Sequence, residues 1–310
     1  MISVQHLTKR FGTQTAVDDL TFEVPAGQIV GFLGPNGAGK STTLKMLTGM
    51  LQPTSGAATV GGFDLQQDIL EVKRHVGFVP ESGAVFESLS GLEYLEMIAA
   101  LYGIPEETAR PRIKQFLAFF DLSFATLTDK LLGAYSKGMR RKVVITAALL
   151  HNPSVVFFDE PLDGLDANAA VGFKALIQTL AREGKTIVYS SHILDVVERV
   201  CDRVIIIDKG RIFFDGPLST IVDRFATHKI LDLSFEDGAA CDFSAFGEVV
   251  ERTPDSVRLR IPRSGVTEAC RAILTTCKVT DISVQELPVE EVIRQLFTEQ
   301  NAASSEPAPV

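Results

Sequence analysis

The chain has 310 residues, 45% of them hydrophobic, and a formal net charge of -9 at pH 7. This charge and a pI near 5.2 argue against a nucleic-acid partner, because proteins that bind nucleic acid usually present a basic surface. No apolar run has membrane-spanning length, and the N-terminus lacks the basic-then-apolar pattern of a signal peptide. We therefore expect one large and one small domain in a protein kept in the cytoplasm.

The cysteines are spaced too widely for the usual metal motifs. None of the four forms a C-x-x-C pair, although Cys270 and Cys277 could share a helix face. Free cysteines are commonly small buried residues, and we expect that role for all four, including Cys201 and Cys241, rather than metal binding or disulfide formation.

The first 33 residues predict three strands. Apolar and polar side chains alternate over 2–7 and again over 17–24, as in antiparallel strands, and Phe11 lies in the turn between them. A short apolar run over 28–33 then predicts a buried strand. This third strand leads directly into a glycine-rich segment.

That segment carries the most specific motif of the chain. It fits the phosphate-binding pattern G-x-x-x-x-G-K-[ST] with Gly34, Pro35, Asn36, Gly37, Ala38, Gly39, Lys40, Ser41 and a following Thr42. Glycines let the backbone turn tightly, so that successive N–H groups point at one anion. Lys40 would contact the β- and γ-phosphates, Ser41 would bind Mg²⁺, and a helix over 42–48 would direct its positive end at them. The motif predicts a nucleoside triphosphate site.

A helical block follows the phosphate loop. After short strands at 57–62 and 76–80, the apolar side chains over 91–121 recur with the 3.6-residue period of helices. Ser136 is suited to cap a further helix that runs to about Leu150. That helix holds the densest basic group of the chain, which is too short to form a nucleic-acid surface. The pattern predicts a helical subdomain at about 88–152, inserted into an α/β core.

Two adjacent carboxylates follow the next strand. Four bulky apolar residues, 155–158, predict a strand buried on both faces of a parallel sheet, and Asp159 and Glu160 follow at its carboxyl end. Asp159 would support Mg²⁺, while Glu160 would polarise a water for in-line attack on the γ-phosphorus. The alternative, a solvated loop end, is disfavoured by the buried run and by the phosphate loop upstream.

Two further side chains are candidates for nucleotide contact. His192 ends a predicted strand over 186–189 and could donate to the γ-phosphate, although a histidine after two serines is more often a capping residue. Phe11 could stack on the base, or it could simply cover the core. The residues alone leave the choice for Phe11 open.

The character of the sequence changes near Pro217. The elements predicted beyond it are strands over 231–235, 257–261 and 279–284 and helices over 266–276 and 288–299. They indicate a small α+β domain at 225–298 without a catalytic constellation. The last residues are rich in Ala, Ser and Pro, and we expect a disordered tail over 299–310.

In combination, these motifs resemble the ATP-binding cassette (ABC) family of transporter nucleotide-binding subunits over residues 1 to about 220. Residues 34–42 are similar to the Walker A element, 155–160 to Walker B with its catalytic glutamate, and His192 to the switch histidine. The resemblance also assigns a D-loop with Asp163 and Asp166, and it places Phe11 and Val17 at the ATP site.

The family's signature, most often Leu-Ser-Gly-Gly-Gln, is similar to residues 135–139. Ser136 and Gly138 are kept, whereas Tyr135, Lys137 and Met139 differ, as in similar variants of cassettes that pair with separate export-type membrane subunits. Only one phosphate loop and one signature occur in the chain. The resemblance therefore implies a head-to-tail homodimer or heterodimer, in which residues 136–139 contact ATP held by the partner.

One position departs from the family pattern. The Q-loop glutamine, which touches Mg²⁺ and the membrane partner, should follow the strand at 76–80, where this chain has Glu81. A carboxylate is a candidate metal ligand, but it lacks the donor group of an amide. Residues 81–93, around Phe86, would contact the coupling helix of a transmembrane subunit or form an ordinary surface loop.

The sequence thus predicts an α/β P-loop NTPase cassette at 1–220, with a mixed sheet, an antiparallel β subdomain and the inserted helices, followed by the small α+β domain. Its function would be the ATPase subunit of an ABC exporter, using ATP and Mg²⁺. It would be peripheral on the inner face of the membrane and paired with a separate transmembrane permease. One alternative is a soluble ABC-type ATPase acting on nucleic acid or ribosomes, which the low pI disfavours. Another is a purely regulatory cassette, which Glu160 disfavours.

Overall fold

The computed structural model describes residues 1–191, 197, 201, 203–235, 242–289 and 291–293. By its internal contacts the chain divides into two compact units, Met1–Leu218 and Ser219–Val310. Two sheets and a block of helices form the first unit, and a further sheet forms the second. No helix within the described ranges is long and apolar enough to cross a membrane.

The strands described in the first unit form two sheets. They are β1 (Ile2–Phe11), β2 (Gln14–Val24), β3 (Ile29–Leu33), β4 (Ser55–Val60), β5 (Phe63–Asp64), β6 (Val76–Val79), β7 (Val155–Asp159), β8 (Thr186–Ser191), β9 (Arg203–Asp208) and β10 (Arg211–Pro217). One sheet is antiparallel, with the order β2-β1-β4-β5. Its alternating apolar side chains pack on the second sheet to form a common core.

The second sheet has the order β10-β9-β3-β8-β7-β6. Its neighbours pair in parallel except for β10, which is antiparallel to β9. Every residue of β7 and β8 is buried, as is typical of strands covered on both faces of a parallel sheet. Parallel pairing brings the carboxyl ends of β3, β6, β7 and β8 to one edge of the sheet, where doubly wound folds bind ligands.

The helices described in the first unit are α1 (Lys40–Leu47), α2 (Ile69–His75), α3 (Gly91–Leu101), α4 (Glu106–Ala118), α5 (Phe124–Asp129), α6 (Lys137–Leu149) and α7 (Ala167–Arg182). Helices α3 to α6 enclose a hydrophobic core of their own. A capping box fixes the start of α3, where Ser90 and Glu93 exchange side-chain and backbone hydrogen bonds. The mixed sheet, the antiparallel subdomain and the inserted helices confirm the predicted fold class.

The second unit is an antiparallel sheet with helices. Its described elements are α8 (Ser219–Phe225), β11 (His228–Ser234), β12 (Glu248–Arg252), β13 (Ser256–Pro262), α9 (Val266–Thr276) and β14 (Asp281–Glu286), and the sheet order is β12-β13-β11-β14. Leu231, Leu259 and Ile273 of α9 belong to its core. The predicted final helix is described only in part, and the predicted tail lies outside the described residues.

At Cys277 the expected burial is confirmed, but the expectation against a disulfide was wrong. Cys277, at the end of α9, is disulfide-bonded. Cys201 is buried and Cys270 is half-buried, as expected of small core residues, while Cys241 lies outside the described residues. Spacing along the chain failed here because it does not reveal which cysteines are neighbours in space.

Candidate functional site

The phosphate-loop segment connects β3 to α1. Gly39 stands directly before the helix with a φ of 104°, a left-handed conformation that glycine adopts without strain. A Cβ atom at this position would lie 2.5 Å from the carbonyl oxygen of Ala16. Gly39 is therefore required both by the turn and by the close approach of β2. The turn sets the start of α1 at Lys40.

Lys40 is a buried cation, with only 6% of its surface exposed. Its Nζ donates to the carbonyl oxygens of Gly34 at 2.7 Å and Pro35 at 3.2 Å, and it lies 3.9 Å from Oε1 of Glu160. Burial lowers the pKa of the ammonium, and the nearby charges of Glu160 and Asp159 partly oppose that shift. The loop carbonyls thus hold the Lys40 ammonium next to the Glu160 carboxylate.

Asp159 and Glu160 lie at the carboxyl end of β7. Asp159 is 1% exposed, and the Ser190 hydroxyl donates to its Oδ1 at 2.6 Å. Glu160 has a φ of 45°, an uncommon backbone conformation for a residue other than glycine, and its N–H donates to the Ser190 carbonyl at 3.2 Å. Such strain often marks a functional position. β8 therefore holds both carboxylate residues in place through Ser190.

An open cavity of about 710 Å³ lies in front of these residues. It is lined by Phe11, Gln14, Thr15, Ala16, Asn36, Gly37, Gly39, Lys40, Ser41, Thr42, Glu81, Glu160 and Lys209. Phe11 is half exposed at the cavity wall, so its ring does not cover the core. The cavity therefore joins the phosphate loop, the aromatic side chain and two carboxylates, with room for a molecule of nucleotide size.

Some candidate residues are not on the cavity wall. Val17 is fully buried in the core, because it follows Ala16 in β2 and its side chain points to the opposite face. Gly34, Pro35 and Ala38 belong to the loop but are not among the lining residues. Asp159 is buried and is not among them either. His192 lies outside the described residues.

The signature segment begins α6 and is not part of the cavity wall. Ser136 is exposed and caps the helix, since its hydroxyl accepts the N–H of Met139 at 3.2 Å. Lys137 forms an ion pair with Asp163 at 2.7 Å. A Cβ atom on Gly138 would lie 2.6 Å from the Gly164 carbonyl oxygen, so this position needs glycine.

The signature and the D-loop are therefore in direct contact within one chain. The D-loop itself ends in a helix cap. The Asp166 carboxylate accepts the N–H of Ala169 at 2.8 Å at the start of α7, and this hydrogen bond lowers its pKa.

Two residues near the site were missed by the sequence analysis. Lys209 lines the cavity from the turn between β9 and β10, and no motif marked it. Arg141 belongs to the dense basic group of the helix that Ser136 caps, and no motif assigned it a separate role, yet it is 3% exposed. Its helical spacing to the buried residues Ile145 and Leu149 was the signal that could have identified it as an inward-facing arginine.

The site has the features of a nucleoside triphosphatase of the P-loop class. These are a glycine loop before a helix, a buried lysine, and carboxylates at the ends of the neighbouring strands. Comparison with known proteins makes the class specific. A sequence model of the family described as "ABC transporter" matches residues 17–163, and one described as "EvrA-like ABC transporter, C-terminal domain" matches residues 227–285.

Relatives and a solved structure agree with these matches. The chain is 37% identical to the ABC transporter ATP-binding protein NatA of Bacillus subtilis (strain 168), over 72% of this chain and 92% of that protein. It is 33% identical to the daunorubicin/doxorubicin resistance ATP-binding protein DrrA of Streptomyces peucetius, over 95% and 92%. A solved ATP-binding subunit of an ABC transporter superposes with a TM-score of 0.68 at 33% identity, covering 73% of this chain and 93% of that one.

The chain belongs to the ABC transporter family. It is an ATP-binding subunit of a transporter and an ATPase, with relatives of the drug-resistance and export type.

Proposed function

We propose that the chain powers an ABC membrane exporter by hydrolysing ATP at this cavity, and that Glu160 is the general base. The observation that carries the proposal is the Glu160 carboxylate at the cavity wall, 3.9 Å from the buried ammonium of Lys40. A base beside the phosphate-binding cation is well placed to accept the proton of a water that attacks the γ-phosphorus.

The loop would bind and orient the triphosphate. Lys40 would exchange its hydrogen bonds to the loop carbonyls for the β- and γ-phosphate oxygens, and the N–H groups over 36–42 would hold the same oxygens. Phe11 would stack on the base, since its half-exposed ring lines the cavity. Val17 would support this wall from the core and not by contact with ATP.

Mg²⁺ fits the oxygen donors at the site. Ser41 offers a hydroxyl and Asp159 and Glu81 offer carboxylates, the hard ligands that Mg²⁺ prefers, and Mg²⁺ commonly needs only one or two of them besides phosphate and water. Bound there, Mg²⁺ would neutralise charge that develops on the β- and γ-phosphates. Ser190 would orient the Asp159 carboxylate through its 2.6 Å hydrogen bond.

We infer a head-to-tail dimer from the position of the signature. Ser136 and Gly138 start α6 but do not line the cavity of their own chain. Ser136 is exposed, so the helix start is available to the γ-phosphate of an ATP bound by a second copy or a related cassette. His192 is assigned by resemblance to the γ-phosphate of its own site.

The transmembrane partner would contact the segment at 81–93 on the cytoplasmic face of the membrane. Phe86 in this segment is 61% exposed. Pro80 and Ala84 also line a groove of about 310 Å³ together with Met50 and Tyr102. An exposed aromatic side chain beside a partly apolar groove suits a short helix of a permease subunit.

The substitution Glu160→Gln tests the assignment of the base. We expect ATP turnover to fall by about 10²-fold or more, while ATP still binds and drives dimer formation, measured by phosphate release and by size-exclusion chromatography. Glu107→Gln, which changes an exposed carboxylate of α4, is the matched control. Normal turnover in the Glu160→Gln protein would refute the assignment.

The membrane partner is tested by capture of the Glu160→Gln protein with ATP from detergent-solubilised membranes of its host, followed by mass spectrometry. Recovery of a polytopic membrane protein in near-equal amount supports the exporter. Recovery of ribosomal or DNA-associated proteins instead would favour a soluble ABC ATPase and leave the ATPase itself unaffected.

A further inference from the structure

Arg141 lies on the buried side of α6, two residues after the signature segment 135–139. Burial lowers the pKa of its guanidinium, while the charges of Asp163, Asp159 and Glu81 oppose that shift. A buried charge is costly unless it is paired and hydrogen-bonded. The side chain therefore needs a specific set of partners.

Those partners are backbone carbonyls at the ends of two neighbouring strands. Nη2 donates to the oxygens of Asp159 at 2.7 Å and Glu160 at 2.6 Å, and Nε donates to Pro161 at 3.1 Å. Nη1 donates to the oxygens of Pro80 and of Glu81, the latter at 3.2 Å. A guanidinium has five N–H groups in a fixed plane, and here they meet five carbonyls.

These carbonyls belong to the two segments that carry acidic side chains to the cavity. Strands β6 and β7 pair in parallel, and Glu81 and Glu160 follow them. Both side chains are among the described residues that line the cavity wall. The Arg141 side chain, on the signature helix, thus holds the backbone of both Glu81 and Glu160.

The peptide groups of Glu160 are held from two directions. Its N–H donates to the Ser190 carbonyl at 3.2 Å and lies 3.3 Å from the Ser190 hydroxyl oxygen. Its carbonyl accepts from the Arg141 guanidinium and from the Asp163 N–H at 3.2 Å. The residue keeps a φ of 45° between these contacts. A strained conformation persists only when its surroundings over-determine it, and Arg141 supplies one of these restraints.

We propose that Arg141 is a positioning residue for hydrolysis, which holds the backbone of Glu160 and Glu81 against the signature helix so that the Glu160 carboxylate is aimed at the attacking water. The inference rests on the proposed function, in which Glu160 is the base. Arg141 is not among the residues that line the cavity, so it would act on the reaction through the residues that it holds. Its loss should therefore slow the hydrolytic step and leave ATP binding nearly intact.

The test compares Arg141→Gln and Arg141→Lys with Arg112→Gln. Arg112 is a matched control, because it is a half-buried arginine of α4 that donates to the Leu150 carbonyl at 2.7 Å, away from the cavity. A small misplacement of a reacting group can lower the rate by about 10²-fold. We expect a fall in kcat of that order for Arg141→Gln with less than about a threefold change in KM, since uniform binding is retained.

Arg141→Lys should give an intermediate kcat. A lysine keeps the charge but cannot span both strand ends with a planar fork. Folding of each variant is checked by thermal melting, and rates are expressed per folded protein. If Arg141→Gln does not fold, a wild-type kcat in folded Arg141→Lys overturns the inference, and so does a loss confined to KM in either variant.

Glu160→Gln, measured in the same assay, separates this inference from the proposed function. Normal turnover in Glu160→Gln removes the base on which both depend. An inactive Glu160→Gln protein together with a fully active Arg141→Gln protein removes only the role of Arg141. A reduced kcat in both, with Arg112→Gln unchanged, supports the two proposals together.

Discussion

The two units of the chain place their charged side chains in opposite ways. In the first unit, Lys40, Arg141 and Asp159 are buried among the ends of the sheet strands. In the second, Arg258 and Arg260 pair across the sheet surface with acidic partners. Among the described residues, every buried polar or charged side chain belongs to the first unit.

This difference shows which unit of the chain keeps charged side chains buried despite the cost in free energy. Removing a charge from water is costly, and replacing a buried pair by apolar residues often stabilises a protein. Buried charges that persist in a cleft are therefore candidates for function. The second unit has a core of apolar side chains, such as the stacked rings of Phe235 and Phe243, and relies on their burial for stability.

This contrast predicts that Lys40→Ala has the largest effect. We expect ATP turnover to fall by at least about 10²-fold, together with weaker ATP binding, because the variant lacks the cation that we propose binds the phosphates. Phosphate release and binding of a fluorescent ATP analogue are the measurements. Lys45→Ala, an exposed lysine of the same helix, should leave both unchanged. Unaltered ATP affinity in Lys40→Ala would break the link between burial and function.

A second substitution addresses the contact between the signature and the D-loop. Gly138→Ala places a Cβ atom 2.6 Å from the Gly164 carbonyl oxygen, so the backbone must move apart. We expect the free energy of unfolding to fall by about 1–3 kcal/mol, the usual effect of overpacking. Denaturant titration measures it.

Gly83→Ala is the control for this substitution. An added Cβ at Gly83 meets nothing within 4 Å, so this variant should be neutral or slightly stabilising. Equal effects of the two alanines would mean that the close approach of Gly138 to the D-loop has no influence on stability.

The sequence indicated those parts of the fold that have a local pattern. The four apolar residues at 155–158 predicted the fully buried strand β7, and the helix predicted over 266–276 has the same ends as α9. Strand β12 was not predicted, because all five of its residues are exposed and carry little alternation. Patterns of burial reveal an element only when the element is partly buried.

In the candidate site, too, residues in a local sequence motif could be predicted and residues placed by distant contacts could not. The phosphate loop has fixed residue types at fixed spacing, so its residues could be named without a structure. The hydrogen bonds of Arg141 could not be predicted from the sequence. Its partners at Pro80 and Asp159 are 61 and 18 residues away, and they are backbone carbonyls, which every residue type carries. Lys209 reaches the cavity through contacts between segments distant in sequence: β9 pairs with β3, and Gly210 is hydrogen-bonded to Ala38 and Asp18.

A smaller effect concerns pH. His151 stacks on Tyr102 in the first unit, and burial lowers its pKa from 6.5 to about 4. Above pH 6.5 the ring is neutral in both states. As the pH falls from about 6.5 towards 4, the unfolded chain takes up a proton that the folded chain does not, so the free energy of unfolding decreases.

The loss should be about 1–2 kcal/mol between pH 7 and pH 5, allowing for partial solvent screening. His151→Phe retains an aromatic ring against Tyr102 but cannot titrate. Its overall stability should change through the lost contact to the Val76 carbonyl, but its stability should depend less on pH than that of the wild type. Parallel pH curves for the two proteins would show that the ring does not titrate in this way.

The smallest effect is expected in the second unit, for Arg258→Gln. Arg258 pairs with Asp232 at 2.7 Å and Glu251 at 3.6 Å, but its side chain is 46% exposed. Exposed ion pairs contribute less than about 1 kcal/mol, because water and salt screen them. We expect a change in the free energy of unfolding within that limit and unchanged ATP turnover. A turnover loss comparable to that of Lys40→Ala would mean that surface charges of the second unit matter for hydrolysis, and burial would then no longer separate the functional charges of this chain from the others.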